Sequence, residues 1–160
     1  MPSWSDVVAA APDLATAVQG RFDATGLGLL ATLRHDGSPR ISGVEPLFAR
    51  ELWLGMMAGS RKAADLLPDP RFALHSATAD KNVAEGDAKL GGRAVLVDDE
   101  STLADFRREL AEHTGDDPGE VAFHLFRADV QEISFLKPGD DHLVIEWWRP
   151  GEEPHRIERR

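Results

Sequence analysis

Residues 59–71 read GSRKAADLLPDPR, and this stretch places two adjacent cations at the expected start of a short helix. Ser60 is a typical N-cap residue, and two prolines end the helical pattern a few residues later. The amides in the first turn of a helix lack partners within the helix and carry partial positive charge. Because Arg61 and Lys62 add to this charge, we predict that the start of the helix binds an anion.

A phosphate ester is the anion that suits this arrangement. It would accept hydrogen bonds from the first-turn amides and the Ser60 hydroxyl, and charge-assisted bonds from Arg61 and Lys62. Arg40, at the start of a neighbouring predicted strand, would approach from the side. On Ser60, Arg61 and Lys62 alone, a solvated surface remains an open alternative for both cations.

The segments around this helix alternate apolar and polar residues in the manner of antiparallel strands. Two of them are joined by a tight turn with Asp36 and Gly37 at its tip, and a third follows directly. Strands with such short connections must be antiparallel neighbours. Four more strands are predicted C-terminal to the helix. The predicted strands cover 27–34, 40–48, 51–57, 71–79, 89–99, 121–136 and 142–148.

Helical patterns also lie at the N-terminus and in the second half of the chain. Ser3 caps an N-terminal helical segment over residues 1–20, and Pro12 is expected to kink it or split it into two pieces. A clear amphipathic helix is predicted over 101–113, with Ser101 as its cap.

Together these elements predict an α+β protein built on an antiparallel β-barrel with two to three flanking helices. The barrel is expected over 27–148, with the short helix near 60–67 between two of its strands. Residues 149–160 are expected to form a C-terminal tail. Because no repeat or linker divides the sequence, we predict one domain over 1–160.

The composition restricts the classes of function. The 160-residue chain has a formal net charge of −10, which disfavours a general binder of nucleic acid or of anionic membranes. The absence of cysteine excludes disulfides, thiolate metal sites and cysteine nucleophiles. The six histidines lack the spacing of a zinc protease, so we predict no metal site. No signal peptide or membrane-spanning run is apparent, and we expect a soluble cytoplasmic protein.

The order of hairpin, third strand, short turn, S-R-K helix and P-x-P-R strand resembles the FMN-binding split barrel of the pyridoxamine 5′-phosphate oxidase-like family. The matching segments are LLATLRHDGSPRISGVEPLF (29–48), ELWLGMMAGSRKAADLLPDPRFAL (51–74) and, less specifically, KLGGRAVLVDDESTLADFRREL (89–110). The resemblance implies a six-stranded antiparallel split β-barrel that forms a homodimer, with one FMN in each of two grooves at the interface. It also implies an FMN-dependent oxidoreductase that acts on a small molecule.

The same resemblance implies three groups of cofactor-binding residues. The first is a strand whose backbone and arginine contact flavin and phosphate, and the second is a strand that faces the ring and ribityl chain. The third is the phosphate cluster, which coincides with the anion site predicted from helix electrostatics alone. No side chain is assigned a catalytic role. The implied cofactor-binding residues are Arg40, Ile41, Ser42, Gly43, Gly55, Met56, Ser60, Arg61 and Lys62.

Near its C-terminus the chain departs from true pyridoxamine phosphate oxidases. Their substrate-binding signature of Trp, Arg and His has no counterpart in EISFLKPGDDHLVIEWW (132–148). The resemblance therefore implies the flavin fold without a vitamin B6 substrate. Two alternatives remain open: a reductase that uses a deazaflavin coenzyme, and a flavin- or haem-binding module without turnover. Of the two ligands of such a module, haem is the less expected.

Overall fold

In the part of the chain that the structure describes, the fold is built on one antiparallel sheet with four helices packed around it. The computed structural model describes residues 1–117, 119 and 122–160 of the chain. In chain order the elements are α1 (Trp4–Ala10), α2 (Pro12–Asp23), β1 (Gly28–Leu33), β2 (Pro39–Val44), β3 (Pro46–Phe48), β4 (Leu52–Met57), α3 (Arg61–Leu66), β5 (Arg71–Ser76), β6 (Asp87–Leu96), α4 (Glu100–Thr114), β7 (Phe123–Pro138), β8 (Leu143–Trp148) and β9 (His155–Arg159).

The main path of the sheet runs in the order β2-β1-β5-β6-β7-β4-β3, and each neighbouring pair is antiparallel. β7 is the longest strand: it pairs with β6, with β4 through its first part and with β8 through its last part. β9 pairs with β8 away from the main path. The prediction of an α+β fold with an antiparallel sheet is confirmed.

The described residues form nine strands, whereas the sequence pattern predicted seven and the family resemblance implied a six-stranded barrel. Two of the strand predictions change. The segment predicted as one strand over 40–48 divides at Glu45 into β2, which pairs with β1, and β3, which pairs with β4. The prediction of a tail over 149–160 was wrong, because a turn with Gly151 at φ 83° folds β9 back onto β8. The rings of Trp147 and His155 stack at 5.0 Å between centroids across this hairpin.

The strand predicted over 121–136 corresponds to β7, which begins at Phe123. Its first predicted residue, Val121, lies outside the described residues. No helix in the described part of the chain is long and apolar enough to cross a membrane.

Pro12 divides the N-terminal helical segment into α1 and α2, as predicted. Ser3 forms the expected capping box, because its hydroxyl oxygen accepts a hydrogen bond from the Asp6 amide and its own amide donates to the Asp6 carboxylate. The segment continues as α2 to Asp23, beyond the predicted end at residue 20.

The predicted cap of α4 was wrong, since Asp99 rather than Ser101 caps this helix. The Asp99 carboxylate accepts hydrogen bonds from the Thr102 amide at 2.8 Å and from the Ser101 hydroxyl at 2.7 Å. The bond from Thr102 and the one from Ser101 lower the pKa of Asp99 to about 2. The helix therefore begins one residue earlier than the sequence predicted, at Glu100.

Helices cover parts of both faces of the sheet. α1 and α2 pack apolar side chains, among them Trp4 and Phe22, into the main core. On the opposite face, Phe106 of α4 packs with Trp53 of β4 and Leu125 of β7. This division follows from the alternation of side chains along a strand, and it leaves a groove beside α4.

Candidate functional site

The start of α3 lies against β2. The ammonium nitrogen of Lys62 donates a hydrogen bond to the carbonyl oxygen of Gly43 at 2.6 Å. β2 pairs only with β1 among the described strands and stands at one end of the main sheet path. Because one edge of β2 is without a strand partner, backbone groups along it are available to a ligand.

The N-terminus of α3 presents free donors. Gly59, at φ 72°, turns the chain from β4 into the helix. The Ser60 hydroxyl oxygen accepts a hydrogen bond from the Ala63 amide at 3.3 Å, so its own proton can still be donated. Within the described part of the chain, neither the Arg61 amide nor the Lys62 amide donates a hydrogen bond to protein. The side chain of Arg61 is exposed. These groups are positioned to bind an anion.

Arg40 is held by a carboxylate that the sequence analysis did not single out. The Nε of Arg40 donates to Oδ2 of Asp65 at 2.7 Å, and the Thr32 hydroxyl donates to the same oxygen at 2.7 Å. Asp65 and Thr32 are buried, with 7% and 2% of their surfaces exposed. The terminal guanidinium nitrogens of Arg40 have no hydrogen-bond partner among the described residues. Asp65 thus fixes the guanidinium through one nitrogen and leaves the other two available.

The pKa of Asp65 shows that this pairing is favourable. Burial by itself raises the pKa of Asp65, but the hydrogen bonds from Arg40 and Thr32 outweigh burial and lower it below its ordinary value. The sequence does contain a signal for Asp65, because it is the one acidic residue of the short helix predicted near 60–67. Thr32 lies directly opposite Arg40 in the β1–β2 register.

The remaining residues of β2 point in alternate directions. Ile41 is 72% exposed and Gly43 is also exposed, whereas Ser42 is half-buried. Ile41 therefore projects from the face opposite Arg40 and Ser42. Any contact that Ile41 and Gly43 make with a ligand near α3 would run through their backbone.

Among the described residues, neither Gly55 nor Met56 of β4 forms a hydrogen bond with β2 or with the start of α3. The Met56 side chain is 6% exposed and packs within the main core. Gly55 lies on the opposite side of the strand, and a Cβ at this position would meet no atom within 4 Å. Both residues line a groove of about 830 Å³ between α4, the β3–β4 hairpin and the turn after α2. The structure therefore assigns Gly55 to a cavity and Met56 mainly to packing.

A second depression, of about 400 Å³, lies on the outer surface of β1, β2, β5, β6 and β7. Its apolar lining includes Leu29, Ala31, Ile41 and Ala73. Leu29 is 46% exposed. Leu29 and Ala31 stand opposite Gly43 and Ile41 in the β1–β2 register, so this depression adjoins the candidate binding strand. Apolar surface of this kind on one face of a sheet is typical of an interaction surface.

In residues 1–117, 119 and 122–160, no three His, Cys, Asp or Glu side chains are grouped to hold a metal ion. His75 lies 3.8 Å from Asp87, measured from Nε2 to Oδ2, at the rim of the outer depression.

Sequence comparison relates most of the chain to one family. The sequence pattern of the family described as pyridoxamine 5′-phosphate oxidase matches residues 14–137. This range contains the candidate binding residues of β2, β4 and α3. A search among curated proteins found no significant match.

Solved structures share the fold at low sequence identity. A pyridoxamine 5′-phosphate oxidase-related, FMN-binding protein from Nostoc punctiforme is 14% identical, with 94% of this chain and 96% of that chain covered and a TM-score of 0.65. PhzG from Burkholderia lata, solved with tetrahydrophenazine-1-carboxylic acid, is 17% identical over 99% and 96% of the two chains, with a TM-score of 0.57. A haem-binding protein from Mycobacterium smegmatis is 19% identical over 89% of this chain and 57% of that chain, with a TM-score of 0.55.

Proposed function

Because the chain belongs to the pyridoxamine 5′-phosphate oxidase-like, FMN-binding family, we propose that it binds FMN and acts as an oxidoreductase on a small organic molecule. The observation that carries this proposal is the group of anion-binding donors where β2 meets α3. Its residues fit a phosphate monoester, which is the charged end of FMN.

The phosphate would be held by charged and neutral donors together. The amides of Arg61 and Lys62 and the hydroxyl proton of Ser60 supply neutral hydrogen bonds at the positive end of α3. Lys62, the exposed guanidinium of Arg61 and the terminal nitrogens of Arg40 supply positive charge, with Arg40 oriented by Asp65. The open edge of β2, including Ile41 and the half-buried Ser42, would face the flavin beyond the phosphate.

When bound, FMN supplies the hydride and electron-transfer chemistry of such a protein. The chain's own residues then bind the phosphate, orient the ring and shape the space beside it. We assign no protein acid or base.

The test is the identity of the ligand that the purified chain retains and its response to reductant. We expect a yellow protein with flavin absorbance that releases FMN on denaturation. Reduction by a nicotinamide donor, followed by reoxidation with an acceptor, would support turnover. A haem spectrum, or tight binding of a deazaflavin coenzyme with weak binding of FMN, would overturn the assignment of FMN. If the protein binds FMN but no donor reduces it, the chain is a flavin-binding module without turnover.

We predict that Lys62→Ala and Arg61→Ala each weaken FMN binding by about 1.5–3 kcal/mol, the range of one hydrogen bond to a charged group. This corresponds to a roughly 10- to 150-fold rise in Kd. The measurement is fluorescence titration of the apoprotein with FMN. Lys81→Ala is the matched control, because Lys81 is an exposed lysine of the β5–β6 loop. Unchanged affinity in both helix variants, or an equal loss in the control, would contradict a phosphate at α3.

We also propose that two chains associate through the mostly apolar depression on β1, β2, β5, β6 and β7. The support is the exposure of Leu29 and Ile41, at 46% and 72%, on a face that adjoins the candidate binding strand. A partner covering this face would bury apolar surface and place the cofactor at the edge of the interface.

For this interface we predict that Leu29→Asp converts a dimer into a monomer and weakens FMN retention. A carboxylate at this position would lose hydration when the interface forms, which costs free energy unless the group is fully paired. Sedimentation velocity measures the change. Leu27→Asp is the control, because Leu27 is 49% exposed but does not line the depression. A wild-type monomer that holds FMN, or dissociation in both variants, would count against this interface.

A further inference from the structure

The groove beside α4 has the size of a binding site for a small molecule. Its volume is about 830 Å³, within the roughly 300–1,000 Å³ of typical ligand pockets. Gly55 forms part of its wall and leaves space where other residues would place a Cβ. If Gly55 contacts the flavin, as the family resemblance implies, the groove adjoins the proposed cofactor site.

Three aromatic side chains line one side of this groove. Phe106 lies between Trp53 and Phe123, with ring centroids 5.7 Å apart in both pairs. The indole N–H of Trp53 is already bonded to Glu109 at 2.6 Å. Trp53 and Phe106 are buried, with 1% and 6% of their surfaces exposed, so the half-buried Phe123 presents most of the aromatic surface to the groove. Grouped aromatic rings pack against apolar ligands and attract organic cations through their negatively charged faces.

The charged groups of the groove are all acidic. Asp23, Glu45 and Asp116 line it, and no lysine or arginine among the described residues does so. The Asp23 carboxylate also accepts a hydrogen bond from the Gln19 side-chain amide at 3.2 Å. The one basic group, the imidazole of His113, has Nδ1 2.8 Å from the backbone oxygen of Glu109. A negative ligand would meet three carboxylates without a compensating cation, whereas a positive ligand would be attracted by all three.

We propose that this groove binds an organic cation, that is, an aromatic or apolar body that carries an ammonium group. The rings would receive the apolar body, and the carboxylates would select the positive charge. The role of this cation as the substrate of the flavin rests on the proposed function, whereas its binding to the groove does not. The same charges disfavour phosphate esters, so the phosphate-binding start of α3 and the groove select opposite charges.

The test uses three probes of equal size and different charge. They are 1-naphthylmethylammonium, 1-naphthalenemethanol and 1-naphthoate, titrated into the full chain with and without FMN and followed by calorimetry. We expect the cation to bind about ten-fold more tightly than the anion at low ionic strength, with the alcohol between them. This ratio should shrink with added salt, because the carboxylates are at an open groove. Equal affinities, or tighter binding of the anion, would overturn the proposal.

Two triple variants separate the groove from the general charge of the protein. Asp23→Asn, Glu45→Gln and Asp116→Asn together should reduce the cation-to-anion ratio to less than about three-fold. The control triple removes three exposed carboxylates elsewhere and should keep the ten-fold ratio; it combines Glu85→Gln, Asp140→Asn and Glu153→Gln. Equal loss in both triples would mean that net charge, not the groove, selects the ligand.

Filling the groove provides an independent readout. Gly55→Leu places a side chain in the open space and should weaken all three probes at least five-fold while preserving the order of their affinities. Probe binding that is unaffected by Gly55→Leu would place the probes elsewhere and overturn the proposal. If FMN fails to bind while the charge preference persists, the proposed function fails and the groove proposal stands. If FMN binds and the probes show no charge preference, the groove proposal fails and the proposed function stands.

Discussion

Asp65→Ala is expected to lower the free energy of unfolding by about 3 kcal/mol, at the lower end of the range for a broken buried ion pair. The substitution leaves the Nε of Arg40 and the Thr32 hydroxyl without their acceptor, and both groups are mostly buried. It also releases the guanidinium that we assign to the phosphate, so FMN affinity should fall about ten-fold. Urea unfolding followed by fluorescence measures the first effect, and flavin titration measures the second.

The difference in unfolding free energy between the wild type and Asp65→Ala should change with pH in a defined direction. The pKa of Asp65 is lowered in the folded protein by Arg40 and Thr32, which outweigh the opposing effect of burial. A carboxylate with a lowered pKa stabilises the fold fully above its unfolded pKa, near 4, and loses that contribution as the pH falls through the folded value. The wild type and Asp65→Ala should therefore differ most at neutral pH and converge below about pH 4.

The chain provides a matched control for this ion pair in Asp69→Ala. Asp69 pairs with Arg71 at 2.6 Å, but 64% of the Arg71 side chain is exposed to solvent. Exposed pairs of this kind contribute little to stability, so the control should change the unfolding free energy far less. Asp65→Asn, which keeps an acceptor oxygen, should recover part of both losses. Equal effects of the alanine substitutions at the two aspartates would show that the buried pair is not special.

Gly92→Ala should destabilise the fold by about 3 kcal/mol, because the added methyl group would overlap backbone atoms of the neighbouring strand. Gly92 lies at the irregularity in the register between β6 and β7, opposite Val130. A Cβ there would clash with the carbonyl group of Asp129 and approach the Cα of Val130 at 3.2 Å. Since these atoms belong to the longest strand of the sheet, β7 must shift to make room. Chemical denaturation compared with the wild type gives the measurement.

The neighbouring Gly91 supplies the control for this clash. A Cβ at Gly91 would come no closer than 3.5 Å to the Phe72 carbonyl oxygen, an ordinary contact distance. Gly91→Ala should therefore be close to neutral in the same strand. A similar loss in both variants would mean that glycine matters here for the flexibility of β6, not for close approach to β7.

Most of the local structure could be predicted from the sequence, because local structure depends on neighbouring residues. Pro12 cannot continue a helix, and it separates α1 from α2 as expected. Asp36 and Gly37 mark a turn that the structure contains, with Gly37 at φ 82°. The Ser60 cap needed only the residues that follow it, and the structure contains it.

Errors arose where one local signal competed with another or where the partner was distant. Ser101 and Asp99 are both good caps, and the carboxylate that reaches the Thr102 amide takes the position. The segment 149–160 carries no apolar run, so β9 was not recognised; it exists because a turn brings it beside β8, which supplies the backbone partners. Strand pairing of this kind is a tertiary property.

For the candidate site, the sequence by itself determined that Ser60, Arg61 and Lys62 would gather positive charge at the start of a helix, since capping and helix electrostatics act over a single turn. Only the tertiary structure decided that Asp65 holds Arg40 across 25 positions of the chain. It also decided that acidic residues from three separate parts of the chain, the end of α2, the β2–β3 connection and the segment after α4, share one groove. Electrostatic interactions depend on distance in space, and that distance is set only when the sheet and helices pack together.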